Sequence, residues 1–96
     1  GFVSWVINHS GWNYGRLGVM GLEDVCTPVS RANAKPGDLV FFIGTYDAPY
    51  PDRPSHVGIY VGNGMMIHCG SPISYANINT PYWQNHFYGF GRLREP

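Results

Sequence analysis

The feature that most restricts how this chain can fold is a pair of apolar-rich runs, His56 to Val61 and Met65 to Cys69, joined by Gly62-Asn63-Gly64. Runs separated by so short a Gly/Asn connection pair antiparallel, so they read as a β-hairpin. Side chains alternate along a strand, and the loop length therefore decides which residues share a face. A two-residue loop at Asn63-Gly64 would set Gly62 opposite Met65 and put Val57, Ile59 and Val61 on the face of Met66, His68 and Gly70. That buries a histidine among valines and turns Ile67 outwards. A three-residue loop sets Val61 opposite Met65, Ile59 opposite Ile67 and Val57 opposite Cys69, with a glycine available for the left-handed position. The three-residue loop is the expectation, with Val57, Ile59, Val61, Met65, Ile67 and Cys69 on a buried face. His56, Gly58, Tyr60, Met66 and His68 then share the other face. His68 sits opposite Gly58 and diagonal to His56, where α-carbons about 7 to 8 Å apart let ring nitrogens approach hydrogen-bond distance.

The rest of the chain is organised around that hairpin. Phe2, Trp5, Val6 and His9 recur at i, i+3, i+4 and i+7, which predicts a helix with that stripe inward and a stop at Gly11. No capping residue precedes the stripe, so the chain is expected to begin in mid-element. Gly11, Gly15, Gly18 and Gly21 predict a loop. Glu23 to Ser30 is compatible with either a short helical turn or an extended piece. Lys35-Pro36-Gly37-Asp38 predicts a type II turn, since proline presets φ and glycine supplies the positive φ that follows. Leu39 to Ile43, apolar throughout, predicts a strand covered on both faces or lying beneath the helix. The segment from Gly44 to Ser55 predicts a long loop of the kind that borders sites. Thr80 to Asn85 predicts one helical turn with Pro81 at its start, and His86 to Leu93 a closing strand.

Ninety-six residues, 10.7 kDa, accommodate one small domain spanning 1–96. Hydrophobic residues at 44% and charged residues at 12% depart from the composition of disordered chains. Six basic and six acidic residues, scattered along the chain, form no cationic stripe, so nucleic acid is not an expected partner. No apolar run approaches the eighteen or so residues of a membrane span, and no signal-peptide pattern occurs, so membrane insertion is not expected either. Two cysteines cannot build a dense disulfide framework.

Two imidazoles on a sparse face suit a general base whose second nitrogen is oriented by a partner. The same pair would also serve as a plain hydrogen-bonded contact within a structural domain. Zinc would need further ligands in a closed site. Cys69 points to the other face, and neither His9 nor His86 has a spacing that ties it to the pair. No metal and no cofactor are therefore expected. A hydrolase of this type also needs a nucleophile. Cys69 is expected to be a small core hydrophobe that resists thiol reagents. Cys26 lies beside Glu23 and Asp24, whereas a reactive thiolate prefers a helix N-terminus or a cationic neighbour.

Four segments carry a resemblance: Gly-Phe-Val-Ser-Trp-Val at 1–6, Lys-Pro-Gly-Asp-Leu-Val-Phe-Phe at 35–42, Ser-His-Val-Gly-Ile-Tyr-Val-Gly at 55–62 and Met-Ile-His-Cys-Gly at 66–70. Together they resemble the NlpC-type papain-like cysteine peptidases of bacterial cell-wall hydrolases. The resemblance implies an α+β fold in which an N-terminal helix packs on a small antiparallel sheet, facing the sheet that bears the histidines. It implies His56 as base and His68 as its orienting partner. The family's nucleophile lies in an Asp-Cys-Ser-Gly-Phe motif at a helix start. Here the chain opens at that glycine, so this is expected to be a domain fragment whose nucleophilic cysteine is absent and which is inactive alone. For an intact domain the resemblance implies amide hydrolysis in peptidoglycan stem peptides, commonly between D-glutamate and a diamino acid. It also implies an extracellular or cell-envelope location in a bacterium and further wall-binding or lytic domains. A module that binds wall peptide without cutting it is the alternative.

Overall fold

The computed structural model describes residues 2–47, 49–70 and 72–94. Helix α1 (Phe2–Asn8) and helix α2 (Val19–Asp24) precede strand β1 (Cys26–Val29). A 3-10 turn at Arg31–Asn33 leads to β2 (Leu39–Phe42), β3 (His56–Gly62), β4 (Met65–Cys69) and β5 (Ile73–Asn77). Helix α3 (Pro81–Asn85) and β6 (Phe87–Leu93) end the described chain. The strands form one antiparallel sheet in the order β1-β6-β2-β3-β4-β5. The fold is thus α+β with a small antiparallel sheet and few helices, as expected. Among the described residues no helix is long and apolar enough to cross a membrane.

The Pro36-Gly37 turn forms as predicted: Gly37 has φ 97° and the Asp38 amide donates to the Lys35 carbonyl at 3.0 Å. It feeds β2, whose four residues are all buried. Alternation divides them between two cores. Leu39 and Phe41 join Val3, Ile7, Leu22, Cys26 and Val57 on the side of α1. Val40 and Phe42 join Met66, Ile78 and Phe90 on the opposite side. Both faces of the sheet are covered, which corrects the expectation of one buried and one sparse hairpin face. Met66 is fully buried on the face of the histidines, and Val61, at 38% exposure, is not part of a core.

The hairpin loop also differs from expectation. Asn63 (φ 54°) and Gly64 (φ 75°) are both left-handed, the signature of a two-residue turn, and Gly62 pairs with Met65. A register shift between Tyr60 and Gly62 takes up one residue, so that Ile59 still faces Ile67 and Gly58 still faces His68. The bulge reconciles a tight Asn-Gly turn with the apolar register. The histidines therefore share a face as expected, by a different route.

In α1 the buried residues are Val3, Ser4 and Ile7, not the predicted stripe of Phe2, Trp5, Val6 and His9. Trp5 is 61% exposed and stacks on His9 with ring centroids 4.0 Å apart. Polar residues displace the aromatic stripe. Ser4 Oγ donates to the Gly15 carbonyl (2.9 Å) and accepts from the Leu17 amide (3.0 Å), while Asn8 Oδ1 accepts from the Tyr14 amide (2.9 Å). These bonds draw the glycine-rich loop against the helix, so Ser4 is buried with its hydrogen-bonding capacity used. Helix α2 occupies part of the stretch expected to be loop. Strand β5 was not anticipated.

Candidate active site

His56 opens β3, and His68 is the penultimate residue of β4. His56 Nε2 lies 2.9 Å from His68 Nδ1, and the two rings stand at 90°. His68 is only 8% exposed and His56 is half-buried. Trp83 of α3 lies over the pair: its ring is within 20° of parallel to His56 at 5.6 Å between centroids, and at 84° to His68 at 5.3 Å. Phe42 backs the indole at 4.6 Å. Burial pushes the His56 imidazole below its ordinary pKa, with the neighbouring charge of His68 adding to the effect, and burial does the same to His68. Both rings are accordingly disposed to be neutral near pH 7. A neutral His56 that donates from Nε2 to His68 holds a free lone pair on Nδ1, which has no hydrogen-bond partner among the described residues.

His56 also lines a cleft of about 200 Å³ together with Phe2, Ser4, Gly18, Leu22 and Cys69. The start of α1 thus forms one wall of the cleft that His56 lines, although α1 packs on the sheet face opposite the two histidines. A second, more open groove of about 730 Å³ shares Phe2 and Cys69 and extends past Trp5, Arg16 and Ile73.

Cys69 points away from the histidine face, as expected, yet it is exposed and lines both depressions, which corrects its reading as a core residue. The buried apolar residues of α1, Val3 and Ile7, pack over Leu39, Phe41 and Val57, and Cys69, at the end of β4, is outside that cluster. Cys26 is buried, and burial pushes its thiol up to about 11, the reverse of an activated nucleophile. His9 is stacked on Trp5, and His86 Nδ1 hydrogen-bonds with the Ile43 carbonyl at 2.8 Å, so neither joins the pair. Sequence reasoning missed Trp83 and Phe42 as neighbours of the dyad. Their signal was faint: an aromatic on a single helical turn and one of two adjacent phenylalanines in a strand.

An oriented imidazole on an antiparallel sheet, facing a cleft walled by the first turn of a helix, is an arrangement suited to hydrolases with a thiol nucleophile. The profile of the NlpC/P60 family matches residues 1–92, and the chain belongs to that family. The "Probable endopeptidase p60" of Listeria welshimeri is 41% identical over 95 residues, covering 97% of this chain and 17% of that protein. The "Bifunctional muramidase/DL-endopeptidase CwlT" of Bacillus subtilis (strain 168) is 45% identical over 67 residues, covering 69% of this chain and 20% of that protein. A crystal structure of an NLP/P60 family protein described as similar to lipoprotein, from Staphylococcus aureus subsp. aureus Mu50, matches with TM-score 0.88 and 32% identity. It covers 98% of this chain and 31% of that one. The chain therefore spans about a fifth of the length of these curated relatives.

Proposed function

We propose that this chain is the histidine-bearing part of a single cysteine endopeptidase domain that cleaves peptidoglycan stem peptides, with His56 as the base and His68 as its orienting partner. The observation that carries the reading is the 2.9 Å hydrogen bond between His56 Nε2 and His68 Nδ1 beside the cleft walled by Phe2 and Ser4. The names of the relatives, two of them endopeptidases, support the reaction class. In the proposed domain the nucleophile is a cysteine outside residues 1–96, as the Asp-Cys-Ser-Gly-Phe motif of the resemblance implies.

The course follows from the geometry. His56 Nδ1 takes the thiol proton, and the thiolate adds to the amide carbonyl. The His56 imidazolium, steadied through Nε2 by His68, returns the proton to the leaving amine. Water then cleaves the thioester, again with His56 as base. The domain acts outside the cell or in the envelope of a bacterium, in company with other wall-directed domains. The bond between D-glutamate and a diamino acid is the proposed target.

The test uses the chain extended upstream through the cysteine, assayed on a muropeptide. It should hydrolyse, unaffected by chelator, whereas residues 1–96 alone should not. In the active protein His56→Ala should cost at least about 10²- to 10⁴-fold in rate. His68→Asn or His68→Gln should keep measurable activity while His68→Ala loses most of it. Undiminished turnover by a folded His56→Ala protein would eliminate His56 as base. Peptide binding without turnover in the extended protein would select the binding module, and turnover by residues 1–96 would make Cys69 or Cys26 the nucleophile.

A further inference from the structure

Held covalently at Cβ and by a single hydrogen bond at Nε2, the His56 ring can still turn about the line through those two atoms. The hydrogen bond therefore does not by itself define where Nδ1 points. The plane of the ring is set by a third aromatic. Trp83 lies nearly parallel to His56 (20°, 5.6 Å), and His68 stands edge-on to both, at 90° to His56 and 84° to Trp83. The three planes are mutually consistent: offset-stacked and edge-to-face pairs at these separations are the favoured arrangements of aromatic rings.

The indole is itself held from several sides. It packs on the fully buried Phe42 at 4.6 Å and on Tyr82 at 4.9 Å. The turn that carries it is pinned to the body by Gln84 Nε2 donating to the Ile78 carbonyl (2.6 Å) and by the contact of His86 Nδ1 with the Ile43 carbonyl (2.8 Å). Trp83 thus belongs to the packed side of the sheet, where Phe42 and Ile78 are buried, and to the dyad at once.

We propose that Trp83 is a positioning residue of the dyad: its indole fixes the plane of the His56 ring, keeping Nε2 on His68 and Nδ1 free to take the proton. The inference rests on the hydrolase reading above for its catalytic consequence, though not for its geometric content. An indole face within about 6 Å of a ring that becomes an imidazolium also attracts the charge as it forms. Among the described residues His68 is the titratable group that acts on His56, so this contact is not overridden by a carboxylate.

The test compares Trp83→Phe, which keeps an aromatic face, with Trp83→Leu, which fills part of the volume without one, in the full-length protein. Melting temperature establishes that each is folded; if Trp83→Leu is not, Trp83→Met supplies the same contrast. On a muropeptide, Trp83→Phe should retain kcat within about threefold, and Trp83→Leu should lose about tenfold or more in kcat with KM within about twofold. Nitrogen-15 histidine spectra, with His56 assigned by its loss in His56→Gln, should show one His56 tautomer, protonated on Nε2, in wild type and Trp83→Phe. They should show a mixture of tautomers in Trp83→Leu. A folded aliphatic variant with wild-type kcat, or with an unchanged His56 tautomer, overturns the proposal. If the wild-type full-length protein fails to hydrolyse any muropeptide, the hydrolase reading falls, while the tautomer comparison still decides whether Trp83 orients His56.

Discussion

Gly58 faces His68 across the hairpin, and substituting it tests whether the dyad face is as tightly built as the geometry indicates. A β-carbon at Gly58 would meet Met66 Sδ at 2.5 Å, His68 Cβ at 3.3 Å and the Ile67 carbonyl oxygen at 3.3 Å. The backbone of Gly58 is not left-handed, so Gly58→Ala adds no conformational strain and its cost is steric. The severe contact is with a flexible thioether, but Met66 is fully buried among Val40, Phe42, Ile78 and Phe90 and has little room to swing away. Overpacking of this kind costs about 1–3 kcal/mol. At this chain length each kcal/mol corresponds to a loss of about 4–8 °C in melting temperature. Met66→Val removes the sulfur and leaves a void, at a cost below the roughly 2–5 kcal/mol of a full methionine-to-alanine truncation. In the Met66→Val background Gly58→Ala should be distinctly cheaper, giving a favourable coupling of about 1 kcal/mol or more. It should not become free, because His68 Cβ and the Ile67 carbonyl remain at 3.3 Å. Urea unfolding of the four proteins of the cycle, followed by tryptophan fluorescence, measures the coupling. Equal cost of Gly58→Ala in both backgrounds would refute the packing assigned to Met66.

Two further predictions concern the cysteines and Asp38. A thiol reagent should modify exposed Cys69 quickly in the folded chain, while buried Cys26, with its thiol pushed up to about 11, should react only on unfolding; mass spectrometry of the labelled peptides reads both rates, and fast labelling of Cys26 would contradict its placement. Burial would raise the Asp38 pKa, but Arg92 donates from Nε and Nη2 at 2.8 Å each and the Lys35 amide donates at 2.8 Å, which together hold the carboxyl below its ordinary 3.8. The folded pKa is the lower one, so this stabilisation is present above about pH 3.8 and is lost as pH falls through the folded value. Asp38→Asn should therefore show a shallower loss of stability than wild type in urea titrations carried below pH 4, and identical slopes would refute the linkage.

Elements whose pattern is local were legible in the sequence. Pro36-Gly37 dictates its turn through φ alone, and Pro81 after Thr80 marks the start of α3, so neither depends on packing from the rest of the chain. β2 was recognisable because a strand covered on both faces reads as an unbroken apolar run. β5 was not, since it lies at the edge of the sheet with Ile73 and Tyr75 both exposed and so shows no alternation between a wet and a dry side. The stripe of α1 was misread because Ser4, an unremarkable polar residue in the sequence, is buried by two hydrogen bonds to the Gly15–Leu17 loop. No periodicity of hydrophobicity can report that.

The same contrast explains why the dyad was legible and its surroundings were not. His56 and His68 lie twelve residues apart in one hairpin, so strand alternation suffices to bring them to one face. Even the wrong loop length left them together, because the apolar pairing of Ile59 with Ile67 fixes the register and the bulge at Val61 absorbs the extra residue. What surrounds the pair arrives from elsewhere: Phe42 from β2 and Trp83 from α3. The burial that lowers both imidazole pKa values belongs to the folded arrangement of these segments and to no single one. His56, the first residue of β3, lines the cleft on one side. Trp83, an aromatic from a different element, stacks on the His56 ring and leaves that ring lining the cleft.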